Sequence, residues 1–232
     1  MDLRLSVLLP TRGRPGPLAR SIGTLLDRAL HPEAIEILLA VDRDDAATLA
    51  ALPAMPSQVR AIVVERRGYV RLQEYMNLLA RLASGYWTMM WNDDNLMETR
   101  HWDEVICREP DCIGALLSAH GTMNVTPVIP RHWLALVGHY SLHNHNDTWW
   151  EFVGTLSGLG RVLEVEFVHD RFDLTGNNGD ETYDERTYLN TGLWSSSEQA
   201  ITRDAETLRA WIAFEAAAAG DLAAGEPGAQ AR

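Results

Sequence analysis

Short, unbroken apolar runs alternate with amphipathic stretches along the first hundred residues of the chain. The runs predict four buried strands, at residues 5–9, 35–41, 59–64 and 86–91. Between them, apolar residues at helical spacing predict one helix after the proline-rich turn at 14–17 and another over about 70–83. Unbroken Val, Ile and Leu runs separated by helices are typical of a parallel sheet that is covered on both faces. This half is therefore predicted to be a Rossmann-like α/β unit.

The second half has a less regular pattern. Helices are predicted at 101–106, 131–138 and 149–159, and strands at 113–118, 125–129 and 162–168. Gly160 is expected to close the third of these helices, since glycine is common just after a helix end. The Gly- and Asn-rich segment 176–180 is predicted to be a loop.

The C-terminal region is predicted to contain one last helix. Ser195 and Glu198 have the spacing of a capping box, which predicts that a helix begins there. Its apolar stripe consists of Ile201, Ala205, Leu208 and Ile212. The Ala- and Gly-rich tail from Ala216 lacks apolar periodicity, so we expect it to fray or to be disordered.

Length, charge and cysteine content narrow the class of protein. A chain of 232 residues can build one substantial core. No apolar run approaches the roughly 20 residues that a membrane span requires, and residues 1–5 lack the features of a signal peptide, so we expect a soluble, cytoplasmic protein. The net charge of −12 argues against broad binding to a phosphate backbone. Cys107 and Cys112 are too few for a disulfide framework and lack the pairing of a zinc site.

Two adjacent acids, Asp93 and Asp94, directly follow the fourth predicted strand. The carboxyl ends of strands in an open α/β sheet border the crevice where ligands bind. Neighbouring side chains of an extended segment point to opposite sides, so one acid can hold a metal while the other meets another part of the ligand. Hard cations such as Mg²⁺ need only one or two protein carboxylates when substrate phosphates complete the shell. A solvated turn is the alternative interpretation, because Asn and Asp are ordinary turn residues.

Several sequence pieces occur in an order and spacing that chance does not readily produce. They are Ser6-Val7-Leu8-Leu9-Pro10-Thr11-Arg12, a strand that ends at Asp42, Asn77 in a helix, Gly85-Tyr86-Trp87, and the cluster Asn92-Asp93-Asp94. In this order they resemble the GT-A glycosyltransferases of family 2. The resemblance covers residues 5–100 well and continues more loosely to about 172. Asn92 is a departure, because the family often has its first Asp there, and this makes Asp94 the better metal ligand.

The resemblance implies a fold and a domain organisation. The fold would be a GT-A type, Rossmann-like, mixed and mainly parallel sheet flanked by helices, with a C-terminal helical appendage. Residues 1–172 would form the catalytic domain, with a nucleotide-sugar-binding half at 1–97 and an acceptor-side half at 98–172. Residues 173–215 would add a loop and a helix packed on this domain, and 216–232 a disordered tail.

The resemblance also implies that the donor nucleotide lies at the ends of the first two strands. Asp42 would accept hydrogen bonds from the base or the ribose, for which a carboxylate is well suited. A turn acid beside Asp44 and Asp45 is the alternative for this residue. The other residues expected near the nucleotide are Pro10, Thr11, Arg12, Arg71, Asn77, Asn92 and Asp93. A helix-entry loop is the alternative at residues 11–12, and an exposed helix face is the alternative at positions 71 and 77.

The same resemblance implies a metal centre. Asp94, together with Asp93, would hold Mn²⁺ or Mg²⁺. His169 follows the predicted strand 162–168 and would complete the metal shell, since neutral imidazole is an adequate ligand for Mn²⁺. The alternative is a histidine that only ends a strand in a hydrogen-bonded turn.

An inverting transferase needs a base for the acceptor hydroxyl, and a carboxylate can take that role. Asp147 precedes Trp149-Trp150 near a predicted helix start and resembles the acidic acceptor motif of the family. An N-cap role is the alternative and is compatible with the first. Trp149, Trp150 and Trp194 lie beside polar loops, where an exposed ring could stack on an acceptor, although burial is the more common state of a tryptophan.

We therefore expect a metal-dependent glycosyltransferase that moves a sugar from a nucleoside-diphosphate sugar, with a UDP-sugar favoured, to a hydroxyl acceptor with inversion. A glycan, a lipid-linked sugar, a small molecule and a modified nucleic-acid base are open as acceptors. The lack of a membrane segment disfavours the lipid, and the acidic charge disfavours the nucleic acid. One alternative is a nucleotidyltransferase, which normally has a Gly-rich, basic first loop, whereas residues 11–15 contain a single Gly. The other is a non-catalytic nucleotide- or sugar-binding module.

Overall fold

The computed structural model of the protein describes residues 4–119, 126–179 and 193–224, and at 193–196 and 219–224 it describes the backbone alone. The strands are β1 (Leu5–Thr11), β2 (Ile35–Asp42), β3 (Val59–Val64), β4 (Trp87–Met90), β5 (Asn95–Met97), β6 (Ile113–Ser118), β7 (Pro127–Pro130) and β8 (Gly160–His169). The helices are α1 (Pro15–Arg28), α2 (Ala46–Ala51), α3 (Leu72–Leu82), α4 (Trp102–Arg108), α5 (Arg131–Val137), α6 (Asn146–Ser157), α7 (Phe172–Thr175) and α8 (Leu193–Ala224). Short 3-10 turns occur at Pro32–Ala34, Leu52–Ala54 and Tyr69–Arg71.

Strands β1 to β4 form a parallel unit, in which β1 lies between β2 and β4, and β3 pairs with β2. Helix α1 covers one face of this unit, and its Leu18 and Ile22 enter one apolar core. Helix α3 covers the other face, where Met76 and Leu79 enter a second core. Strands β1, β2 and β4 are thus buried on both faces, as their unbroken apolar sequences require. The predicted Rossmann-like α/β arrangement is confirmed.

The second half of the chain adds strands in both directions. Strand β7 is antiparallel to β4 and to β6, β8 is parallel to β6, and β5 is antiparallel to β8 at the far edge. The order across the sheet is β3-β2-β1-β4-β7-β6-β8-β5. Residues 91–94 connect β4 in the middle of the sheet to β5 at its edge, so the sheet curls around this connection. The result is a mixed, mainly parallel sheet flanked by helices, which confirms the predicted fold class.

The limits of helix α6 differ from the prediction. It begins at Asn146 and not at Trp149, because polar residues complete a first turn that the apolar pattern does not reveal. Its C-cap is Gly158, which adopts the left-handed conformation (φ 75°) that glycine tolerates. Gly160 does not close the helix but opens β8.

Helix α8 begins before the predicted capping box. Ser195 lies inside the helix, so it does not cap it. The helix continues to Ala224 and thus includes part of the tail from Ala216 that was predicted to be irregular. Alanine has the highest helix propensity, so this stretch extends a helix without an apolar stripe. Residues 225–232 of the tail, and Val125 of the predicted strand 125–129, lie outside the described residues.

Helix α8 packs against α5 and α6. Its buried face includes Ile201, Ala205 and Leu208. Trp149 donates its Nε1 hydrogen to Asp204 Oδ2 (2.9 Å) at this contact. Trp149 and Trp150 are fully buried, so neither offers an exposed ring to an acceptor, and the side chain of Trp194 lies outside the described part. Among the described helices, α8 included, none has both the length and the apolar character that crossing a membrane requires.

Candidate functional site

Four chain segments end at the same edge of the sheet. They are the carboxyl ends of β1, β2 and β8 and the connection 91–94 that follows β4. These strands run in one direction, so their carboxyl ends meet where ligands bind in open α/β sheets. Charged side chains are seldom buried unless they are paired. Several polar side chains are nevertheless buried at this edge: Thr11, Arg14, Asp42, Asp93, Asp94 and His169.

Asp93 and Asp94 form the centre of the site. Thr11 Oγ1 donates a hydrogen bond to Asp93 Oδ2 (2.6 Å). The guanidinium of Arg14 lies between the acids, with Nη1 3.3 Å from Asp93 Oδ1 and 3.2 Å from Asp94 Oδ2. His169 Nε2 lies 3.1 Å from Asp94 Oδ1. Each of the four carboxylate oxygens therefore has a protein partner.

The environments of the two acids shift their pKa values in opposite directions. Burial, followed by the charge of Asp94, raises the pKa of Asp93 to about 6, although Arg14 and Thr11 oppose this shift. Burial acts in the same direction on Asp94, but the hydrogen bond and charge of His169 and the charge of Arg14 together lower the pKa of Asp94. Asp94 is therefore the firmly ionised member of the pair. Arg14 offsets one of the two negative charges of the ionised pair, and His169 lies beside Asp94.

We expect Asp93→Asn to stabilise the protein at pH 7.5 by about 2 kcal/mol, because a carboxyl group with a raised pKa destabilises the folded state when ionised. Asp93 holds its carboxyl proton more tightly in the folded protein than in the unfolded chain. The gain should therefore be complete above pH 6 and should shrink as the pH falls toward 4, where wild-type Asp93 is protonated in both states. The free energies of unfolding of the variant and the wild type, measured with urea at several pH values between 7.5 and 5.5, give this gain.

Asp94→Asn is the matched comparison and should have the opposite sign, because the pKa of Asp94 is lowered in the folded protein. Its ionised form stabilises the fold at neutral pH, and the substitution removes that stabilisation. Equal effects of the two substitutions, or a gain for Asp93→Asn that does not change with pH, would contradict the assignment of different environments to the two acids.

Asp42 belongs to a second polar network, at the end of β2. Tyr75 Oη donates to Asp42 Oδ1 (2.5 Å), and Arg12 Nη1 donates to Asp42 Oδ2 (3.0 Å). Burial, followed by the hydrogen bond to Asp42, raises the pKa of Tyr75 to about 12, so the phenol remains a donor at neutral pH. Each carboxylate oxygen can accept more than one hydrogen bond. Asp42 is thus held in a fixed orientation and keeps acceptor capacity for a ligand.

The acids that follow Asp42 have other contacts. Asp44 is exposed and pairs with Arg12 (2.6 Å), and this hydrogen bond is the main reason why the pKa of Arg12 is raised. Asp45 caps α2 through a hydrogen bond from Thr48 N (3.1 Å) and also accepts one from Gly13 N (2.8 Å). The ordinary turn and capping roles are therefore taken by Asp44 and Asp45, whereas Asp42 is buried at the strand end.

The segment after β8 folds over Asp94. Asp170 N donates to the carbonyl oxygen of Asp94 (2.8 Å). Asn178 Nδ2 donates to the carbonyl oxygen of Asp170 (2.5 Å), and Arg14 Nη2 lies 3.3 Å from the carbonyl oxygen of Asn178. Asn177 Nδ2 donates to Asp170 Oδ1 (2.7 Å). This segment closes one side of the carboxylate pair, and Arg14 connects it to the start of α1.

The chemistry of this cluster suits a hard divalent cation. Asn95 and His169 lie opposite each other in the antiparallel β5–β8 pair, so their side chains share a face. Both are buried, and the amide of Asn95 and Nδ1 of His169 have no hydrogen-bond partner in the described part of the chain. These unpaired buried polar atoms lie beside the two carboxylates, so the position can accommodate a polar ligand.

The described residues do not form a complete metal cage, since no group of three or more His, Cys, Asp or Glu side chains converges on one point. Mg²⁺ and related ions are commonly held by one or two carboxylates while substrate phosphates supply further oxygens. Asp93 and Asp94, with His169 beside them, meet that lesser requirement.

Arg71 and Asn77 lie outside the two networks. Arg71 is exposed and pairs with Glu74. Asn77 Oδ1 accepts hydrogen bonds from Tyr140 N (2.5 Å) and Ser141 N (3.2 Å), and its Nδ2 donates to the Ser141 carbonyl oxygen (2.7 Å). The contacts of Asn77 thus anchor the loop before α6. A contact of either side chain with a nucleotide stays a prediction.

Pro10 and Asn92 are at the expected edge but take no part in the carboxylate contacts. Pro10 is half-buried in β1, opposite Ala40 of β2. Asn92 is half-buried, and its carbonyl oxygen accepts a hydrogen bond from Ser21 Oγ (3.1 Å). Their roles toward a nucleotide stay predictions.

Asp147 lies in the first turn of α6, whose N-cap is His145, so the N-cap interpretation of Asp147 is wrong. Strand β8 begins at the amino edge of the sheet, and helix α6 ends just before it. The first turn of α6 therefore lies toward the carboxyl edge. Asp147 Oδ1 accepts a hydrogen bond from Thr148 N (2.8 Å). Within the described ranges, no hydrogen bond or ion pair joins Asp147 to Asp93 or Asp94. Its role as a base stays a prediction.

Three residues that the sequence analysis did not assign are central to the site. Arg14 bridges the acids, Tyr75 orients Asp42, and Asp170 fixes the segment over Asp94. The cluster of arginines around the end of β1 was a usable signal for Arg14, because an acidic pair that is buried needs a cation. Tyr75 had no such signal, since it falls on the apolar stripe of α3.

The fold resembles solved structures at low sequence identity. TarS 1–349 from S. aureus in complex with UDP-GlcNAc matches with a TM-score of 0.60 and 11% identity, over 86% of this chain and 70% of that one. Its complex with UDP gives a TM-score of 0.54 and 12% identity, over 72% of this chain and 58% of that one. The mannosyltransferase PcManGT from Pyrobaculum calidifontis, in complex with GDP-Man and Mn²⁺, gives 0.58 and 14%, over 98% and 82%.

These similarities concern the fold. The chain has a Rossmann-like fold of the GT-A type. It spans little more than half the length of the TarS chain in the UDP complex, at 58%. No family model matches the sequence, and no curated protein matches it.

Proposed function

We propose that this chain transfers a sugar from a nucleoside-diphosphate sugar to a hydroxyl acceptor, with the help of a divalent cation. The observation that carries the proposal is the convergence of the buried Asp93–Asp94 pair and of Asp42 at one carboxyl edge. The proteins of similar fold support it, because their structures are complexes with UDP, with UDP-GlcNAc, or with GDP-Man and Mn²⁺.

The nucleoside would bind at the ends of β1 and β2. Asp42, oriented by Tyr75 and Arg12, would accept hydrogen bonds from N–H groups of the base or from ribose hydroxyls. Arg12 and the Thr11 hydroxyl lie on the loop between this position and the acids. We favour uridine, because its base offers an N–H donor to a carboxylate and the TarS structures of similar fold hold UDP or UDP-GlcNAc.

Asp94, with Asp93 and His169 beside it, would hold Mn²⁺ or Mg²⁺. Such an ion supplies charge neutralisation to the departing diphosphate. The protein side chains set the position of the diphosphate: the segment at Asp170 closes one side of the acids, and Thr11 fixes Asp93. This arrangement would shield from water the side of the site where the leaving group is proposed to form.

Asp147 is the proposed base. It would remove the proton of the acceptor hydroxyl while the hydroxyl oxygen forms its bond to the anomeric carbon. The bond from that carbon to the diphosphate oxygen breaks on the opposite side, so the configuration is inverted and the electron pair leaves with the diphosphate. The half-buried position of Asp147 at the N-terminus of α6 suits a carboxylate, since the helix dipole stabilises negative charge there.

The proposal leaves a glycan, a small molecule or a modified nucleic-acid base as acceptor classes. A nucleotidyltransferase would break a different bond, between the α- and β-phosphates of a nucleotide. A non-catalytic module would bind the donor without breaking any bond.

A panel of nucleotide sugars tests the proposal through the melting temperature. A UDP-sugar at saturating concentration with Mn²⁺ should raise the melting temperature by several degrees, because a ligand at about 100 times its Kd stabilises by about 2.7 kcal/mol. Asp42→Asn should reduce the shift, whereas Asp44→Asn, a change in an exposed neighbour, should keep most of it. The absence of a shift with every UDP- and GDP-sugar would contradict donor binding.

A further inference from the structure

Arg14 places a buried cation at the centre of the site. Its side chain is 7% exposed, and Nη1 lies within 3.3 Å of an oxygen of both Asp93 and Asp94. Nη2 lies 3.3 Å from the carbonyl oxygen of Asn178.

Arg14 directly precedes α1, so the fold fixes its backbone. Its long side chain keeps several rotatable bonds and can adopt another position.

The two oxygens that Arg14 bridges are the inner oxygens of the acid pair. The outer oxygens already accept from Thr11 and face His169. A divalent cation held jointly by both acids would therefore meet a positively charged guanidinium at close range. Like charges repel strongly in a buried site, where little water screens them. The guanidinium and the divalent ion cannot occupy this place together.

The balance of charge favours replacement of the guanidinium. Two ionised acids carry two negative charges, of which Arg14 offsets one, and His169 beside Asp94 adds a positive charge only when it is protonated. A divalent cation offsets both acids, and the donor diphosphate then supplies oxygens that the protein lacks. An arginine freed from the acids is well suited to contact phosphate oxygens at the same site.

We infer that Arg14 is an exchangeable counter-ion, which holds the Asp93–Asp94 pair in the donor-free protein and gives way to the divalent cation. This inference rests on the proposed function, which assigns the cation to these acids. Arg14 then sets the affinity for the ion, because binding requires the loss of two buried ion pairs. The free ion binds weakly, and the site fills when the ion arrives with the donor phosphates.

The inference is tested by Mn²⁺ binding without donor or acceptor, measured from the electron paramagnetic resonance signal of free Mn²⁺. Arg14→Gln should bind Mn²⁺ about tenfold more tightly than the wild type, because the competing charge is gone. Arg14→Lys keeps the charge and should stay near the wild-type value. Unchanged or weaker binding of Mn²⁺ by Arg14→Gln would overturn the inference. A lack of Mn²⁺ binding by both the wild type and Arg14→Gln would also overturn it.

Two controls locate the effect. Arg28→Gln removes a charge at the other end of α1, where Arg28 contacts Glu98, and should leave Mn²⁺ affinity unchanged. Addition of Asp94→Asn to Arg14→Gln should abolish the gain, since the ion then lacks its main ligand. A gain that survives in the double variant would mean that the ion binds elsewhere, which contradicts the inference.

The wild-type protein provides a measurement that does not depend on the folding of any variant. Rotation of a guanidinium held by two carboxylates is slow, so nuclear magnetic resonance should detect distinct Nη signals for Arg14. Saturating Mg²⁺ should remove the slow rotation from one arginine, and persistence of all slow signals would contradict the exchange. These results are separable from the proposed function: tighter Mn²⁺ binding by Arg14→Gln without sugar transfer would refute the transfer and retain the exchange.

Discussion

Asp94→Asn should lower the rate of sugar transfer by about 100- to 1,000-fold at saturating donor and Mn²⁺, which is the range for loss of one preorganised group that stabilises transition-state charge. Asp94 is buried and ionised, because His169 and Arg14 lower its pKa against the effect of burial. An amide keeps the shape of the side chain but loses the charge that a cation requires. The rate of nucleoside diphosphate release measures the effect.

Asp93→Asn is the comparison that separates the two acids. The pKa of Asp93 is raised whereas that of Asp94 is lowered, so Asp93 is the weaker ligand of the pair. Its substitution should reduce transfer less than Asp94→Asn does. Metal-dependent turnover that is unchanged in Asp94→Asn would remove Asp94 from the site, and a larger loss in Asp93→Asn would exchange the roles of the acids.

Asp147→Asn should lower kcat by about 100- to 10,000-fold and leave the KM for the donor within a few-fold of the wild type, as expected for loss of a general base. The amide keeps the hydrogen bond from Thr148 N but cannot take a proton from the acceptor hydroxyl. Steady-state kinetics with the preferred acceptor measure the two constants separately.

Glu151→Gln is the matched control for Asp147→Asn. Glu151 lies one helical turn further along α6, where burial, followed by the charge of Asp147, raises the pKa of its carboxyl group. Its substitution removes an acid from the same region but not the proposed base. Similar losses in both variants would mean that the charge of this helix end matters and that Asp147 is not the base.

The position of the site follows from strand patterns in the sequence. Asp42, Asp94 and His169 each come at or just after the end of a predicted strand, and parallel strands bring such residues to one edge. The structure has all three at that edge. Asp147 could be assigned to the same side only from the topology, because the direction of α6 depends on how β8 pairs with β6.

The contacts inside the site could not be predicted, because they depend on pairings between distant segments. Strand β5 has three residues, too few for a periodic pattern, yet its pairing with β8 brings His169 to Asp94. The hydrogen bond from Tyr75 to Asp42 requires the packing of α3 on β2. Arg14 begins the segment 14–17, which is rich in Pro and Gly, and the sequence pattern does not indicate the direction of its side chain.

Binding alone leaves every bond of the donor intact, whereas sugar transfer breaks the bond between the anomeric carbon and the diphosphate. Phosphorus-31 nuclear magnetic resonance of the best donor from the nucleotide-sugar panel, incubated with the protein, Mg²⁺ and candidate acceptors, observes that bond directly. The proposed function predicts that the donor signals are replaced by those of the free nucleoside diphosphate, and that Asp94→Asn prevents this. Signals of a sugar phosphate, which forms when the bond between the α- and β-phosphates breaks, or an unchanged donor spectrum, would contradict it.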